Sequence, residues 1–196
     1  EPNLGKYKNR NISLETYIMK KSLFLQLIEE ARKESSMYWL KDIISDHCEN
    51  DTLNVRGTVY RGNVYYIYDL KSYYDCNMAL LDEANILALN NPEWPIYTRT
   101  NDSAPAIYLK DGSASKSLIC NSTEIGGKVV RSVIGRNVKI GKGAIVEDCI
   151  ISTGVTIAPN SVLKYAIVDK HTKISKKKDI EGTQDNPVYI ARRENI

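Results

Sequence analysis

A parallel β-helix preceded by a smaller α/β unit is the fold this sequence predicts, on three observations. First, the chain repeats itself between Ser117 and Ile174 in six-residue units. Aligned at a step of 17 residues, one short of three units, Ser132-Val133-Ile134, Cys149-Ile150-Ile151 and Ala166-Ile167-Val168 share one register, with Val138, Val155, Thr172 and then Ile140, Ile157, Ile174 below them. Second, these short apolar runs are closed by polar corners such as Gly135-Arg136-Asn137 and Gly141-Lys142-Gly143. Strands of this length cannot bury an apolar side alone and must stack on copies of themselves. Third, residues 1 to about 90 carry no such repeat and mix helical with strand periodicity, as an α/β or α+β unit does.

At 196 residues the chain is long enough to bury roughly 70% of its unfolded surface, in one large domain or two small ones. A formal charge of +3, from 27 basic and 24 acidic residues, is far from the dense basic stripe of nucleic-acid binding. Small anions are the more plausible partners. Cys48, Cys76, Cys120 and Cys149 form no CxxC pair, and no secretory or membrane segment is legible. The thiols therefore read as reduced, cytosolic and buried like small hydrophobes. A chain that opens on Glu1-Pro2 without methionine is expected to be a piece of something longer.

Along the chain, residues 14–19 read as a short strand. Ser22 is placed to cap a helix whose Leu23, Phe24, Leu27, Ile28 and Ala31 share one face, with Glu29, Glu30, Arg32 and Lys33 solvated opposite. A second helix is expected near Trp39 to Ile44, with His47 a surface residue at its end. Gly62-Asn63 between two β-rich runs signals a hairpin over residues 58–66. Ser72 then caps a helix through about Leu89. Residues 91–106, with three prolines, form a linker between a 1–90 unit and a 107–196 β-helix, and Trp94 is expected to pin it. The apolar run Ile107, Tyr108 and Leu109 enters the stack as a candidate for either the domain or the subunit interface, and residues 188–191 add a last strand.

Read against known families, the chain resembles the C-terminal half of glucose-1-phosphate adenylyltransferase (ADP-glucose pyrophosphorylase) over essentially its full length. Ser13-Leu14-Glu15-Thr16-Tyr17 looks like that family's Ser-Met-Gly-Ile-Tyr strand, and Lys41-Asp42-Ile43-Ile44 like its Gly-Lys-Asp-Ile-Ile helix. Tyr73-Tyr74-Asp75-Cys76-Asn77-Met78-Ala79-Leu80-Leu81 resembles its Tyr-Trp-x-Ala-Asn-Met-x-Leu-Leu helix. Trp94-Pro95-Ile96-Tyr97-Thr98, followed by Ala104-Pro105-Ala106, is similar to its Trp-Pro-Ile-Tyr-Thr linker and Pro-Pro-Ala-Lys-Phe entry to a left-handed β-helix. Each motif alone is weak; their order and spacing make the set specific. The resemblance implies an incomplete, Rossmann-like nucleotidyltransferase unit followed by a left-handed β-helix of hexapeptide repeats.

The reaction so implied joins ATP to glucose 1-phosphate, giving ADP-glucose and pyrophosphate for glycogen synthesis. Mg²⁺ and lysines neutralise and align the two anions in catalytic members. In those members Gly-Tyr-Trp-Arg-Asp-Val-Gly-Thr precedes the Tyr-Trp-x-Ala-Asn helix, and its Asp helps hold the metal. Counted back without gaps from Asn77, that Asp is Tyr66 here and the preceding Arg is Tyr65. A neutral phenol does not replace a carboxylate as a hard ligand for Mg²⁺ at neutral pH. Glu15 stands where the family has Gly, adding bulk and negative charge where a sugar phosphate would lie. Asp69 restores a carboxylate only if the alignment slips by three residues, which turns the strand's faces over. The resemblance thus points to part of a non-catalytic regulatory subunit, a stretch that holds no metal or cofactor and lacks the Gly-rich nucleotide loop such enzymes carry near their N-terminus.

Ser13, Glu15, Lys41 and Asp42 are the remnant of the substrate pocket in this reading. Lys139, Lys164 and Lys170 are candidates for an anionic effector, against the plainer role of keeping corners soluble; Lys176-Lys177-Lys178 is a solvated run. The expected partners are a catalytic subunit or further copies meeting through the β-helix, in the cytoplasm, with no nucleic acid or membrane. Two other classes stay open: an active adenylyltransferase, and a hexapeptide-repeat acyltransferase or trimerisation module with His171 as a corner base.

Overall fold

The computed structural model describes residues 13–34, 39–98 and 102–196, the side chains of residues 39–41 excepted. The chain divides into two compact units, Glu1–Arg61 and Gly62–Ile196. The segment after Arg61, which the sequence groups with the N-terminal region, therefore stands in the same unit as the repeat.

In the first unit two helices pack together, α1 (Lys21–Glu34) and α2 (Trp39–Glu49). Leu27 and Ala31 bury against Ile43 and Ile44, with Tyr17, Met19 and Leu23 at the margin. Of the expected apolar stripe on α1, Leu23, Leu27 and Ala31 thus meet α2, whereas Phe24 is left 40% exposed. Ser22 lies inside α1 rather than at its cap, and α2 runs past Ile44 to Glu49. His47 is more than a surface residue at a helix end. Its Nε2 lies 2.8 Å from Glu30 Oε2 and its Nδ1 2.6 Å from Thr52 Oγ1, tying α1, α2 and the following turn together. Hydrogen bonds from Gln26 and then from His47 hold the Glu30 carboxyl below the usual range.

The expected strand over residues 14–19 and the hairpin over 58–66 do not form. Residues 13–20 and 52–68 have no strand, and every strand among the described residues lies between Ile107 and Ile190, in the β-helix. β-branched and aromatic runs favour a strand only when a partner and a buried face are supplied, and a lone two-stranded ribbon is marginal in water. Val59, Tyr60, Val64, Tyr66, Ile67 and Tyr68 remain exposed. The Rossmann-like unit is accordingly not seen in the described residues.

In the second unit the single helix expected from Ser72 is two, α3 (Leu70–Ala79) and α4 (Glu83–Leu89). Asp69, not Ser72, caps α3: its carboxylate accepts the Ser72 N–H at 2.7 Å while Ser72 Oγ accepts the Asp69 N–H, a reciprocal capping box. Asp82 starts α4 by accepting the Ala84 N–H at 2.8 Å. Residues 90–98 form no helix or strand. Trp94 does not pin this segment: it is 75% exposed, with Pro95 after it disfavouring helical backbone.

From Ile107 onward the chain winds into a parallel β-helix of three five-stranded sheets. The first sheet stacks Ile107–Tyr108, Glu124–Ile125, Lys139–Ile140, Thr156–Ile157 and Lys173–Ile174. The second stacks Ser113–Ser115, Lys128–Val130, Ile145–Glu147, Val162–Lys164 and Asp179–Glu181. Leu118–Ile119, Val133–Ile134, Ile150–Ile151, Ala166–Val168 and Val188–Ile190 make the third. Val133 pairs with Ile150 and Ile150 with Ile167, the register expected from the 17-residue step. The first step is shorter, Leu118 to Val133, and the last is lengthened between Ala166 and Val188.

Inside, the columns Ile125, Ile140, Ile157, Ile174 and Val129, Val146, Leu163 and Ile134, Ile151, Val168 form one continuous core. Their near-complete burial, at about 25 cal/mol per Å², is what holds coils of two- and three-residue strands together. Buried hydroxyls join one coil to the next: Ser132 Oγ donates to the Val130 carbonyl at 2.7 Å and accepts the Cys149 N–H at 3.0 Å. Cys149 takes that place one coil on, and burial pushes its thiol up to about 12. The other cysteines are not buried as expected: Cys48 and Cys120 are exposed and Cys76 half-buried.

At the C-terminal end Asn195 bridges Lys173, and the Ile196 N–H donates to the Lys173 carbonyl at 2.9 Å, so the chain covers part of its own edge. Ile107, Tyr108 and Leu109, on the first coil, are half-exposed.

Candidate functional site

Side chains with chemistry converge where α3 crosses the outer face of the third sheet. Ile150 and Ile167 point away from the core yet are buried, under Tyr74 of α3 with Tyr73, Met78 and Tyr165 around them. Beside this apolar seat opens a cleft of about 370 Å³, lined by Tyr74, Asp75, Met78, Arg131, Asp148 and Gln184 among others. Arg131 and Asp148 occupy the same corner of successive coils, both in left-handed backbone at φ 42° and 51°. Arg131 Nε donates to Asp148 Oδ1 at 2.8 Å and Nη2 to Oδ2 at 2.7 Å, a two-pronged pair. Nη2 also donates to Glu147 Oε1 at 2.8 Å.

The Tyr74 hydroxyl, on a residue only 2% exposed, donates to the Asp148 carbonyl at 2.8 Å. Burial, and then the nearby Asp148 charge, push the Tyr74 phenol up, so it stays a donor. The Arg131 guanidinium is held protonated by its bond to Asp148. With Nε and Nη2 committed to carboxylates, Arg131 is built to hold structure rather than a free anion. Sequence reasoning missed this cluster, although its signal was present: the 17-residue alignment sets Arg131 and Asp148, of opposite charge, one coil apart.

The residues singled out in the sequence are distributed between the two units. Ser13, Glu15 and Asp42 lie exposed in the first, and the Lys41 side chain is outside the described residues. Ser13 Oγ accepts the Glu15 N–H at 3.1 Å, which is a local backbone role. Glu15 adopts φ +53°, a left-handed conformation that favours glycine, which suits the glycine that the resembled strand carries there.

Tyr65, Tyr66 and Asp69 lie in the second unit. Tyr66 is 76% exposed on an irregular segment, its ring 5.6 Å from that of Tyr68, and the Tyr65 hydroxyl is shielded from solvent without a partner. Asp69 is engaged as the α3 cap, and its bonds from Ser72 hold its carboxyl below the ordinary range. Two phenols and one capping carboxylate do not fit the hard-oxygen cage of a divalent cation, and no group of three His, Cys, Asp or Glu among the described residues is arranged to hold a metal.

A capping role for Asp69 has a direct test. Asp69→Ala is expected to speed exchange of the α3 amides several-fold by removing the acceptor for the Ser72 N–H, whereas Asp69→Asn keeps an acceptor and changes it far less. The cap's contribution is present above the ordinary carboxylate pKa and is lost as pH falls through the lowered value. Hydrogen exchange in α3 checks both; equal acceleration in the two variants would remove the capping assignment.

Of the three lysines, Lys139 pairs with Glu124 at 3.2 Å and Lys164 with Glu181 at 3.3 Å, on the first and second sheets. Lys170 sits in the corner after the third sheet, with no ion pair among the described residues. The Arg193 N–H donates to its carbonyl at 3.1 Å, which sets Arg192-Arg193 beside Lys170-His171. His171, exposed at φ 61°, lies over Gly154, where an added Cβ would come 2.5 Å from its Nδ1.

Residues 105–188 match the family model described as GlmU-like, C-terminal hexapeptide. Glucose-1-phosphate adenylyltransferase of Corynebacterium jeikeium (strain K411) is 36% identical over 106 residues, 53% of this chain and 26% of that protein. The glycogen biosynthesis protein GlgD of Geobacillus stearothermophilus is 34% identical over 139 residues, 71% of this chain and 40% of that one. GlgD of Bacillus subtilis (strain 168) is 28% identical over 180 residues, 92% of this chain and 52% of its own length. These likenesses support a place among the glucose-1-phosphate adenylyltransferases and GlgD proteins of glycogen biosynthesis. The chain spans only about a quarter to a half of the length of the relatives it matches. No helix among its described residues is long and apolar enough to cross a membrane.

Proposed function

We propose that this chain is the C-terminal part of a non-catalytic, regulatory subunit of a bacterial hetero-oligomeric ADP-glucose pyrophosphorylase, acting in the cytoplasm on glycogen synthesis. The observation that carries the reading is Tyr66. At the position aligned with the family's metal-holding Asp stands an exposed phenol, with Tyr65 in place of the Arg before it and Glu15 in place of a pocket glycine. A phosphoryl-type transfer depends on charge neutralisation at the two anionic reactants, and these residues supply none. The remaining parts are those a scaffold needs: a left-handed β-helix for association, and a basic corner for an anionic effector. Lys170 is the best placed of the three lysines, because Lys139 and Lys164 already hold carboxylates and its corner adjoins Arg192 and Arg193.

The test has two arms. Purified alone and assayed with ATP, glucose 1-phosphate and Mg²⁺, the full-length protein is expected to release no pyrophosphate. Mixed with the glucose-1-phosphate adenylyltransferase of the same cell, it is expected to enter one assembly of defined mass and to change that enzyme's response to sugar phosphates. Turnover by the protein alone would establish an active adenylyltransferase, and a trimer of itself that ignores the partner would establish an acyltransferase or trimerisation module.

A further inference from the structure

The geometry points to a latch in which Tyr74, Asp148 and Arg131 fix the seat of α3 on the β-helix, so that helix and corner move as one piece. At ten residues, α3 is shorter than the roughly 12 to 15 residues at which an isolated helix becomes even marginally stable in water. It depends on what it packs against. Its apolar seat, Ile150 and Ile167 beneath Tyr73, Tyr74 and Met78, is attractive without being directional, and alone would let the helix slide or roll.

Direction comes from the one buried side-chain hydrogen bond between α3 and the β-helix among the described residues, the Tyr74 hydroxyl on the Asp148 carbonyl at 2.8 Å. That carbonyl belongs to a residue in left-handed backbone, a conformation that most non-glycine residues avoid and Asp accepts more readily. The Arg131 fork, reaching from the preceding coil, grips the same residue's side chain through both oxygens.

The chain of cause therefore runs from the stacking of two coils, through Arg131 and Asp148, to the hydroxyl that seats α3. Because Ser72 Oγ accepts the Tyr68 and Asp69 N–H groups at 3.0 Å and the Cys76 thiol donates to the Tyr66 carbonyl at 4.0 Å, a shift of α3 carries residues 66–69 with it. A disturbance of the corner is thus conveyed to the segment bearing Tyr66 without any change in the core. The latch holds whichever activity the full-length protein has.

Hydrogen exchange on the full chain tests it, with Tyr74→Phe, Arg131→Ala and the double variant. Each single change is expected to speed exchange of the α3 amides about five-fold, the equivalent of one net hydrogen bond. The amides of Ile151 and Val168 in the core should be unchanged. The double variant should match the faster single one, because the two groups act in series. Lys71→Ala, which removes only the surface pair with Asp75, should leave the rest of the pattern intact. Unchanged α3 rates in Tyr74→Phe, independent effects that multiply in the double variant, or acceleration spread equally over Ile151 and Val168 would each overturn the latch. Tyr74→Phe keeps the buried ring, so it reads the hydroxyl even if Arg131→Ala disturbs the fold.

Discussion

Shortening Leu163 to alanine is expected to remove about 2–5 kcal/mol from the stability of the second unit. Leu163 is fully buried and among the largest such side chains, in a column with Val129 and Val146. A void there closes only if the neighbouring coils approach, and parallel ladders prevent that. The Val162 N–H already bonds the Lys178 carbonyl at 2.9 Å on one side, and the Ile145 N–H bonds the Ser161 carbonyl at 2.8 Å on the other. The cavity term should therefore persist nearly in full, placing the loss toward the upper end. Far-ultraviolet circular dichroism is the right probe, because both tryptophans, Trp39 and Trp94, lie outside the solenoid and their fluorescence follows other parts of the chain. Ile145→Ala, on the partly exposed outer face, should cost under about 1 kcal/mol. A comparable loss at both positions would mean that the columns are not the source of stability.

The solenoid was legible because each inward position recurs at a fixed step and each corner needs polar or left-handed residues. Position in the sequence and place in the core are then the same information. The outer seat of α3 was also written there and went unread. Ile150-Ile151 and Ile167-Val168 are apolar at consecutive positions, and a strand that is apolar on both faces is covered on both. In the first ninety residues the outcome differs by element. The face of α1 that meets α2 follows from spacing within one helix, so it was recoverable. The hairpin around Gly62-Asn63 was read from β-rich runs whose strand state depends on a partner, which local sequence does not supply. The Glu30 and His47 pair joins two separate helices with no periodic signal between them. For the site, Tyr66 and Asp69 were identified by alignment alone; that Asp69 serves as a cap is visible only once the α3 backbone is in place.

Gly127→Ala is expected to damage the solenoid at least as severely as any cavity. A Cβ built on Gly127 falls 2.1 Å from the Ala144 carbonyl oxygen and 2.8 Å from the Ala144 nitrogen. Both atoms are backbone of the next coil, so no side chain can rotate away. The same carbonyl accepts the Lys128 N–H at 2.8 Å, while the Gly127 carbonyl accepts the Ser113 N–H at 2.9 Å from the coil before. Relieving the clash means prising apart the hydrogen bonds that set the coil spacing. Overpacking typically costs about 1–3 kcal/mol, and displacement of backbone on both sides puts this case at the top of that range or beyond. Gly57, with nothing within 4 Å of its ideal Cβ, is the control: alanine there should be neutral, or stabilising by up to about 1 kcal/mol through the unfolded chain. In a stack where each coil contacts only its neighbours, a broken step divides the array. Hydrogen exchange in Gly127→Ala should therefore accelerate first in Lys128–Val130 and Val133–Ile134 and least in Val162–Lys164. An unchanged melting midpoint, or acceleration uniform along the stack, would show that coil spacing at Gly127 is not what limits stability.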